Sequence, residues 1–373
     1  MQEKAIEQEE VKGMDITLII SVLILLGIGV TMVYSASSVF AAKKYDNQYF
    51  FLKKQVSGII LGLFIMFAVA QVNFNRYRKL TYVILGAAIV LLTMVFIPGI
   101  GFKANGASRW IKIAGMTFQP AEFAKLAIVF YLAYSLQKKS DNIKNFSIGF
   151  LPHVIVTGII LALILIQPDL GSVVIISAIL FAMLFIAGVR VRYLVVSVLM
   201  LLPVAYGLIM NVAYRRKRMM TFFDPLSDPT GAGFQITQSF LALGSGGLFG
   251  MGLGDGKQKL FYLPEPHTDF ILSVLGEELG FVGLVITLLI FFVIIYRGFK
   301  ISLESESLYG SLLALGITLI IGMQAVINAG VVMGMLPTKG LVLPFISYGR
   351  TAIIINLFSV GVLLNISSKK KSW

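Results

Sequence analysis

The stretch Tyr262-Leu263-Pro264-Glu265-Pro266-His267-Thr268-Asp269-Phe270 closes the long polar loop of the chain. Its two prolines stiffen the approach. Asp269 stands at the mouth of an apolar segment that carries two further carboxylates, Glu277 and Glu278. Ionisable groups at membrane depth are costly and mark functional sites by default. A carboxylate so placed can serve as a general base, and His267 and Thr268 are its nearest polar neighbours. His267 and Asp269 also raise the question of a metal. The chain has only two histidines, and the other is the distant His153, so a His-rich site is not available. The sequence requires no cofactor. An oxygen-ligated Mg2+ or Mn2+ held mainly by substrate phosphates is compatible with the residues present.

Other polar residues compete for roles. Gln119-Pro120-Ala121-Glu122-Phe123-Ala124-Lys125 places Pro in a first helical turn and sets Glu122 and Lys125 three apart on one helix face. They either neutralise each other or line a polar cavity, and the cavity is the expected outcome. Arg109 and Trp110, in Gly106 to Ile111, read as an interfacial anchor or as a contact to a lipid phosphate. Asp169, in the turn Gln167 to Gly171, reads as a helix cap or as a site residue. The run Arg215-Arg216-Lys217-Arg218 fits a solvated or head-group-facing surface, with pyrophosphate binding as the sharper alternative. The glycine-rich stretch Gly244 to Gly254 lacks the Gly-Lys-Ser/Thr ending of a nucleotide loop and is expected to fold back on the membrane face. Lys339 lies in the last polar loop, Met335 to Gly349.

The elements that must position these groups are membrane helices. The chain is 57% hydrophobic and 13% charged, a balance that no soluble domain of this length shows. The apolar runs predict an all-α polytopic membrane protein of about ten spans, near 15–37, 55–73, 80–98, 121–136, 148–167, 171–189, 193–213, 269–296, 307–330 and 346–366. They form one membrane domain over 1–373, with a long extracytoplasmic loop at 214–268. The acidic, polar N-terminus does not resemble a signal peptide, so the first span is expected to insert and stay. There is no cysteine, which excludes disulfides and thiolate metal sites. The net charge of +13 is explained chiefly by basic clusters between spans. Arg76 to Lys79, Lys138 to Lys144, Arg190 with Arg192, Arg297 with Lys300, and Lys369 to Lys371 share one side, which is cytoplasmic by the positive-inside rule, with both termini. No basic module stands free of the spans, so nucleic acid is not an expected partner.

Taken in order, these motifs are specific. Gly106–Ile111, Gln119–Lys125, Gln167–Gly171, Gly233-Phe234-Gln235-Ile236 with Gln238-Ser239, the glycine-rich stretch, Leu263–Phe270, Gly276-Glu277-Glu278-Leu279-Gly280 and Leu336–Gly349 together cover nearly the whole chain. In them the chain resembles the SEDS family (shape, elongation, division, sporulation), and within it the FtsW and SpoVE branch. The resemblance implies a ten-helix peptidoglycan glycosyltransferase of the bacterial cytoplasmic membrane. Its substrate would be lipid II, the undecaprenyl-pyrophosphate-linked disaccharide pentapeptide, polymerised on the outer face during cell division or sporulation. A class B penicillin-binding protein and divisome proteins would be its partners.

The family's essential aspartate falls on Asp269, and positions of functional interest fall on Glu122, Lys125 and Lys339. Asp269 would accept the proton of the attacking sugar hydroxyl in an inverting displacement. Lys125, Lys339, Arg109 and Arg215 to Arg218 are the cations available to the leaving undecaprenyl pyrophosphate. One departure is Arg350, a long cation after Tyr348-Gly349 where the family has a second glycine. It puts close packing of the last span in question. Two other readings are a lipid II flippase and a non-enzymatic scaffold that recruits a class B penicillin-binding protein. The crowding of ionisable groups on the outer half weighs against the first, and the costly carboxylates near one helix weigh against the second.

Overall fold

The computed structural model describes residues 13–104, 107–113, 116–224, 233–258, 263–264, 266–338 and 340–368. Lys339, Gly106, Tyr262, Glu265, Lys369 to Lys371 and the acidic residues before Gly13 therefore lie outside the described residues. The helices are α1 (Ile16–Tyr45), α2 (Phe50–Ala70), α3 (Asn75–Met94), α4 (Pro120–Lys138), α5 (Leu151–Ile166), α6 (Leu170–Ile186), α7 (Val191–Met210), α8 (Ala213–Phe223), α9 (Phe234–Gly246), α10 (Ile271–Glu304), α11 (Leu308–Val332) and α12 (Arg350–Ser367). A π-helical turn, Phe146–Phe150, leads into α5.

Among the described residues, eight helices are long and apolar enough to cross a membrane: α1, α2, α3, α5 with its leading turn, α7, α10, α11 and α12. The other two expected spans are α6, apolar but only 17 residues long, and α4, which carries Glu122 and Lys125. In lipid every backbone group must be satisfied internally, which is why apolar runs of this length become helices. Packing then depends on close approach. On the α2–α12 seam a Cβ at Gly361 would come within 2.5 Å of the Met66 carbonyl oxygen, so the two backbones nearly touch.

Hydrogen bonds fix which helix ends share a face. Asp15 caps α1 by accepting from the Leu18 N–H at 3.1 Å, and its own N–H donates to Ser367 Oγ at 3.3 Å. Arg297 of α10 pairs with the Asp15 carboxylate at 2.6 Å. The two ends of the described chain thus meet at one face. At the other face, the Gln119 N–H at the start of α4 donates to Thr351 Oγ1 of α12 at 3.3 Å. Asp269 belongs to this second face.

Both long loops contain structure that the apolar pattern did not predict. Between α3 and α4 an antiparallel sheet forms from β1 (Gly101–Ala104), β2 (Ala107–Ile113) and β3 (Met116–Phe118), in the order β1-β2-β3. Side chains alternate on a strand, so Arg109 shares the inward face of β2 with the fully buried Ile111, while Lys112 faces out. In the long loop, α9 buries Ile236, Ser239, Ala242 and Gly246, an i, i+3, i+6, i+10 stripe along one face. That stripe was too short to stand out beside the membrane spans. Several spans also run past the expected limits, α1 by two turns and α10 to Glu304.

Candidate functional site

Asp269 sits where three loops meet, and its backbone is fixed before its side chain. The Asn328 amide of α11 donates to the Asp269 carbonyl at 2.9 Å and to the Leu341 carbonyl at 2.7 Å. Ser347 Oγ donates to the Thr268 carbonyl at 2.6 Å, and the Tyr348 N–H donates to the His267 carbonyl at 2.8 Å. Gln55 of α2 holds the Ser347 carbonyl through its amide N–H at 3.2 Å. The segment 267–269 is therefore clamped between α11 and the loop before α12. A Cβ at Gly340 would lie 3.2 Å from Asp269 Oδ2 and 3.9 Å from Arg109 Nη1. The carboxylate and the guanidinium converge on the same small volume, which a side chain at position 340 would fill.

Arg109 reaches this point from β2 because the turn before α6 holds it. Its guanidinium donates to the Gln167 carbonyl at 3.3 Å and to the Pro168 carbonyl. It therefore acts as an inward-facing cation rather than only an interfacial anchor. Asp169, one residue on, is a helix cap. Its Oδ1 accepts from the Ser172 N–H at 3.1 Å and its Oδ2 from Ser172 Oγ at 2.8 Å. Both oxygens are engaged in starting α6, as short polar side chains at N-caps commonly are.

Glu122 and Lys125 form an ion pair at 2.7 Å inside the bundle, 4% and 1% exposed. The Gln324 amide of α11 donates to the second Glu122 oxygen at 3.4 Å. Gln324 and Asn328 are four apart on one face of α11. One edge of that face thus touches the ion pair and the next turn touches Asp269, about 6 Å along the axis. Lys125, expected among the cations available to a leaving pyrophosphate, is instead committed to Glu122.

Glu277 and Glu278 also turn inward, for a structural reason. Helix α10 is broken at Gly280, whose φ of 68° belongs to the left-handed side that only glycine adopts freely. The break frees the carbonyls of Glu277 and Glu278 and the N–H groups of Phe281 and Val282. The glycine-rich loop takes up all four. The N–H groups of Met251 and Gly252 donate to those carbonyls at 3.0 and 3.1 Å, and the carbonyls of Gly247 and Leu248 accept from those N–H groups at 2.9 and 3.1 Å. The two carboxylates complete the joint. Glu277 accepts from the Lys257 N–H at 2.7 Å, and Glu278 accepts from Ser35 Oγ of α1 at 2.6 Å. Irregular backbone at membrane depth is tolerated only where protein covers it in this way. The glycine-rich stretch, expected to fold back on the membrane face, folds into the helix itself.

His267 is 7% exposed and lies among Phe51, Tyr348 and Phe40, at ring distances of 4.6, 5.8 and 6.0 Å. Burial pushes the hydroxyl of Tyr348, in the loop before α12, above its ordinary range, while the Arg350 guanidinium pulls the other way. Arg350 itself opens α12 with its stem against Gly58 of α2, where a Cβ would lie 2.9 Å from the Arg350 Cγ. Close packing survives the arginine because glycine faces it. Among the described residues no group of three or more His, Cys, Asp or Glu is arranged to hold a metal. The sequence missed Gln55, Gln324, Asn328 and Ser347. The available signal was a pair of amides four apart within an otherwise apolar span.

The chain matches the FtsW/RodA/SpoVE family of cell cycle proteins over residues 16–372. It is 48% identical over 363 residues to a probable peptidoglycan glycosyltransferase FtsW of Geobacter metallireducens, covering 97% of each chain. It is 44% identical over 353 residues to the stage V sporulation protein E of Bacillus subtilis, covering 95% of this chain and 96% of the relative. Among solved structures, it resembles a chain from a peptidoglycan synthase complex that coordinates polymerization and crosslinking, with a TM-score of 0.78, 29% identity, and coverage of 95% and 97%. It also resembles the rod shape determining protein RodA of Thermus thermophilus, with a TM-score of 0.71, 27% identity, and coverage of 96% and 98%.

Proposed function

The chain belongs to the FtsW/RodA/SpoVE (SEDS) family of cell cycle proteins, and from that premise we propose that it polymerises lipid II into peptidoglycan strands at the membrane face where Asp269 lies. The reaction class comes from the relatives' function as peptidoglycan glycosyltransferases. The observation that supports it in this chain is the convergence of Asp269 Oδ2 and Arg109 Nη1 beside Gly340. A base and a cation at one point suit a displacement that takes a proton from the nucleophile and delivers negative charge to the leaving group.

In this mechanism Asp269 accepts the proton of an acceptor sugar hydroxyl as its oxygen bonds to the anomeric carbon of the donor. The bond from that carbon to undecaprenyl pyrophosphate breaks in the same step, and the pyrophosphate departs as an anion beside Arg109. Lys339, adjacent in sequence to Gly340, is the second cation assigned to it. An α-linked donor then gives a β-linked product by inversion, without a covalent enzyme intermediate. Glu122 and Lys125 support the site by fixing α4 against α11. Glu277 and Glu278 support it by fixing the joint in α10. His267 and Thr268 hold the loop on which Asp269 stands. A class B penicillin-binding protein is assigned as the crosslinking partner, on the strength of the related synthase complex, and divisome proteins as the wider setting. No observation favours a flippase or a scaffold. The buried Glu122–Lys125 pair is closed on itself rather than strung along a path.

The test is purified protein with its penicillin-binding partner, given labelled lipid II. Wild type yields glycan strands. Asp269→Asn keeps the side-chain shape but cannot take the proton, and should lose at least about a hundred-fold in polymerisation. Near-normal polymer from a folded Asp269→Asn protein would remove Asp269 as the base. No polymer from wild type would remove the activity itself.

A further inference from the structure

A second polar concavity lies at the opposite end of α4 from Asp269, some 28 Å away along the 19-residue helix. Its volume is about 560 Å3, and its walls include Ser140, Asp141, Lys144, Asn145, Arg190 and Tyr193. Four helix ends surround it. Helix α4 ends at Lys138, the turn into α5 begins at Phe146, α6 ends at Ile186 and α7 begins at Val191. It opens where the bundle leaves the membrane, on the face that also carries Asp15 and Ser367.

The charge at this mouth is strongly positive. Lys144 and Arg190 line it with one carboxylate, Asp141, and Lys138, Lys139 and Arg192 flank the lining residues in sequence. Among the described residues neither Lys144 nor Arg190 forms an ion pair. Burial, and then the neighbouring Lys138 ammonium, hold Lys139 below the usual lysine range. Loop basicity alone would satisfy the positive-inside rule without any concavity. Here the cations border a recess, and its back wall is aromatic: Phe146 and Phe150 pack on Tyr193 at 5.2 and 5.9 Å. The recess is also continuous with apolar surface that faces outward from the bundle. Phe146, Ile148, Phe185, Ile186, Val191 and Val195 are between 39% and 58% exposed.

We propose that this recess binds the anionic phosphodiester head group of a membrane phospholipid, with Lys144 and Arg190 at the phosphate and the acyl chains lying along the exposed sides of α5, α6 and α7. Basic pockets between membrane helices at the cytoplasmic boundary take anionic lipids for this reason. The apolar flank is what selects a lipid over a free phosphate. The site is separate from the glycosyltransferase reading and does not depend on it.

The test uses the full-length protein, stripped of lipid in detergent and titrated with phosphatidylglycerol, phosphatidylcholine or inorganic phosphate. Bound lipid is counted by native mass spectrometry. Phosphatidylglycerol should bind in preference to the other two. Lys144→Gln or Arg190→Gln should each weaken it about five-fold, and the double variant about thirty-fold. Lys53→Gln with Lys54→Gln, on the opposite face, should leave this binding unchanged. A double variant that fails to fold does not rescue the idea, because wild type gives a second readout. Phosphatidylglycerol with a photoreactive acyl chain should label residues 146–151 and 185–195. Equal affinity for inorganic phosphate and its loss in the same variants would make this a phosphate site and overturn the lipid assignment. Undiminished lipid binding in the folded double variant, or labelling confined to other helices, would overturn the site.

Discussion

Asn328 holds Asp269 by the backbone, so the carboxylate can be tested through a residue that never touches a proton in transit. Asn328→Leu removes two amide hydrogen bonds, to the carbonyls of Asp269 and Leu341. Leaving buried carbonyls without donors costs about 1–3 kcal/mol each. The variant should therefore unfold at lower temperature and lose polymerase activity even with Asp269 intact. A stable Asn328→Leu protein with full activity would show that the clamp does not position the base. The Glu122–Lys125 pair gives a sharper test. Glu122→Gln or Lys125→Met alone strands a buried charge, at a cost of roughly 3–5 kcal/mol. Making both changes together strands no charge and should cost less than either, as thermal unfolding of the three variants would show. Equal losses in all three would mean that the pair is not electrostatically coupled. At this scale the sequence announced the charged residues, because a carboxylate within an apolar run stands out. It did not announce what they touch. Asp169 and Lys125 are as conspicuous as Asp269, yet one caps α6 and the other is bound by Glu122. The partners Ser172 and Glu122 are each three residues away, so the sequence offers both pairings as alternatives. Only the folded chain, which brings Gln324 from α11 onto Glu122, selects between them.

Gly280 and Gly250 show why element boundaries were harder to read than element identity. The apolar run of the eighth span predicts one helix, whereas α10 is two helical segments joined across a kink at Gly280. Its hydrogen-bond ladder is cut at Gly280 and completed by residues 247–252 of a loop that comes before it in the chain. No local pattern encodes a joint between two backbones, so the glycine-rich stretch reads as a loop folding back on the membrane face rather than as the partner of a broken helix. Gly280→Ala forces a side chain onto a φ of 68° and onto the backbone of Leu248 to Gly250. Strain of this kind costs about 1–3 kcal/mol before the clash is counted. The variant should melt earlier, and protease should cut more readily between Gly244 and Gly256. A variant as stable and resistant as wild type would mean that the loop is not seated in the helix. The α2–α12 seam makes a matching point about Arg350. Its stem rests on Gly58, so Gly58→Val should lower the melting temperature, and adding Arg350→Gly should restore most of the loss. Arg350→Gly alone should leave polymerase activity unchanged. Loss of activity with normal folding would make Arg350 a site residue.

At the scale of the whole molecule, the two faces of the bundle differ in what they gather. One holds Asp269, Arg109, the three-stranded sheet and the loop joint. The other holds Asp15, Ser367, Arg297 and the basic recess beside α5 and α7. The hydrogen bonds of Asp15 to Ser367 and of Gln119 to Thr351 fix these groupings independently of any membrane. The positive-inside rule, by which short loops rich in Lys and Arg stay on the cytoplasmic side, predicts the orientation of the bundle. The chemistry proposed for Asp269 requires the opposite, outer face. The absence of native cysteine makes this orientation directly measurable. Asp255 and Glu306 are both exposed and lie on opposite faces, one in the loop before α10 and the other between α10 and α11. In intact cells, Asp255→Cys should react with a membrane-impermeant maleimide, and Glu306→Cys should react only after permeabilisation. The reverse pattern would place Asp269 and Arg109 in the cytoplasm and the basic recess outside. The fold would stand unchanged, but the positive-inside assignment, outer-face polymerisation and the cytoplasmic setting of the lipid recess would fall together.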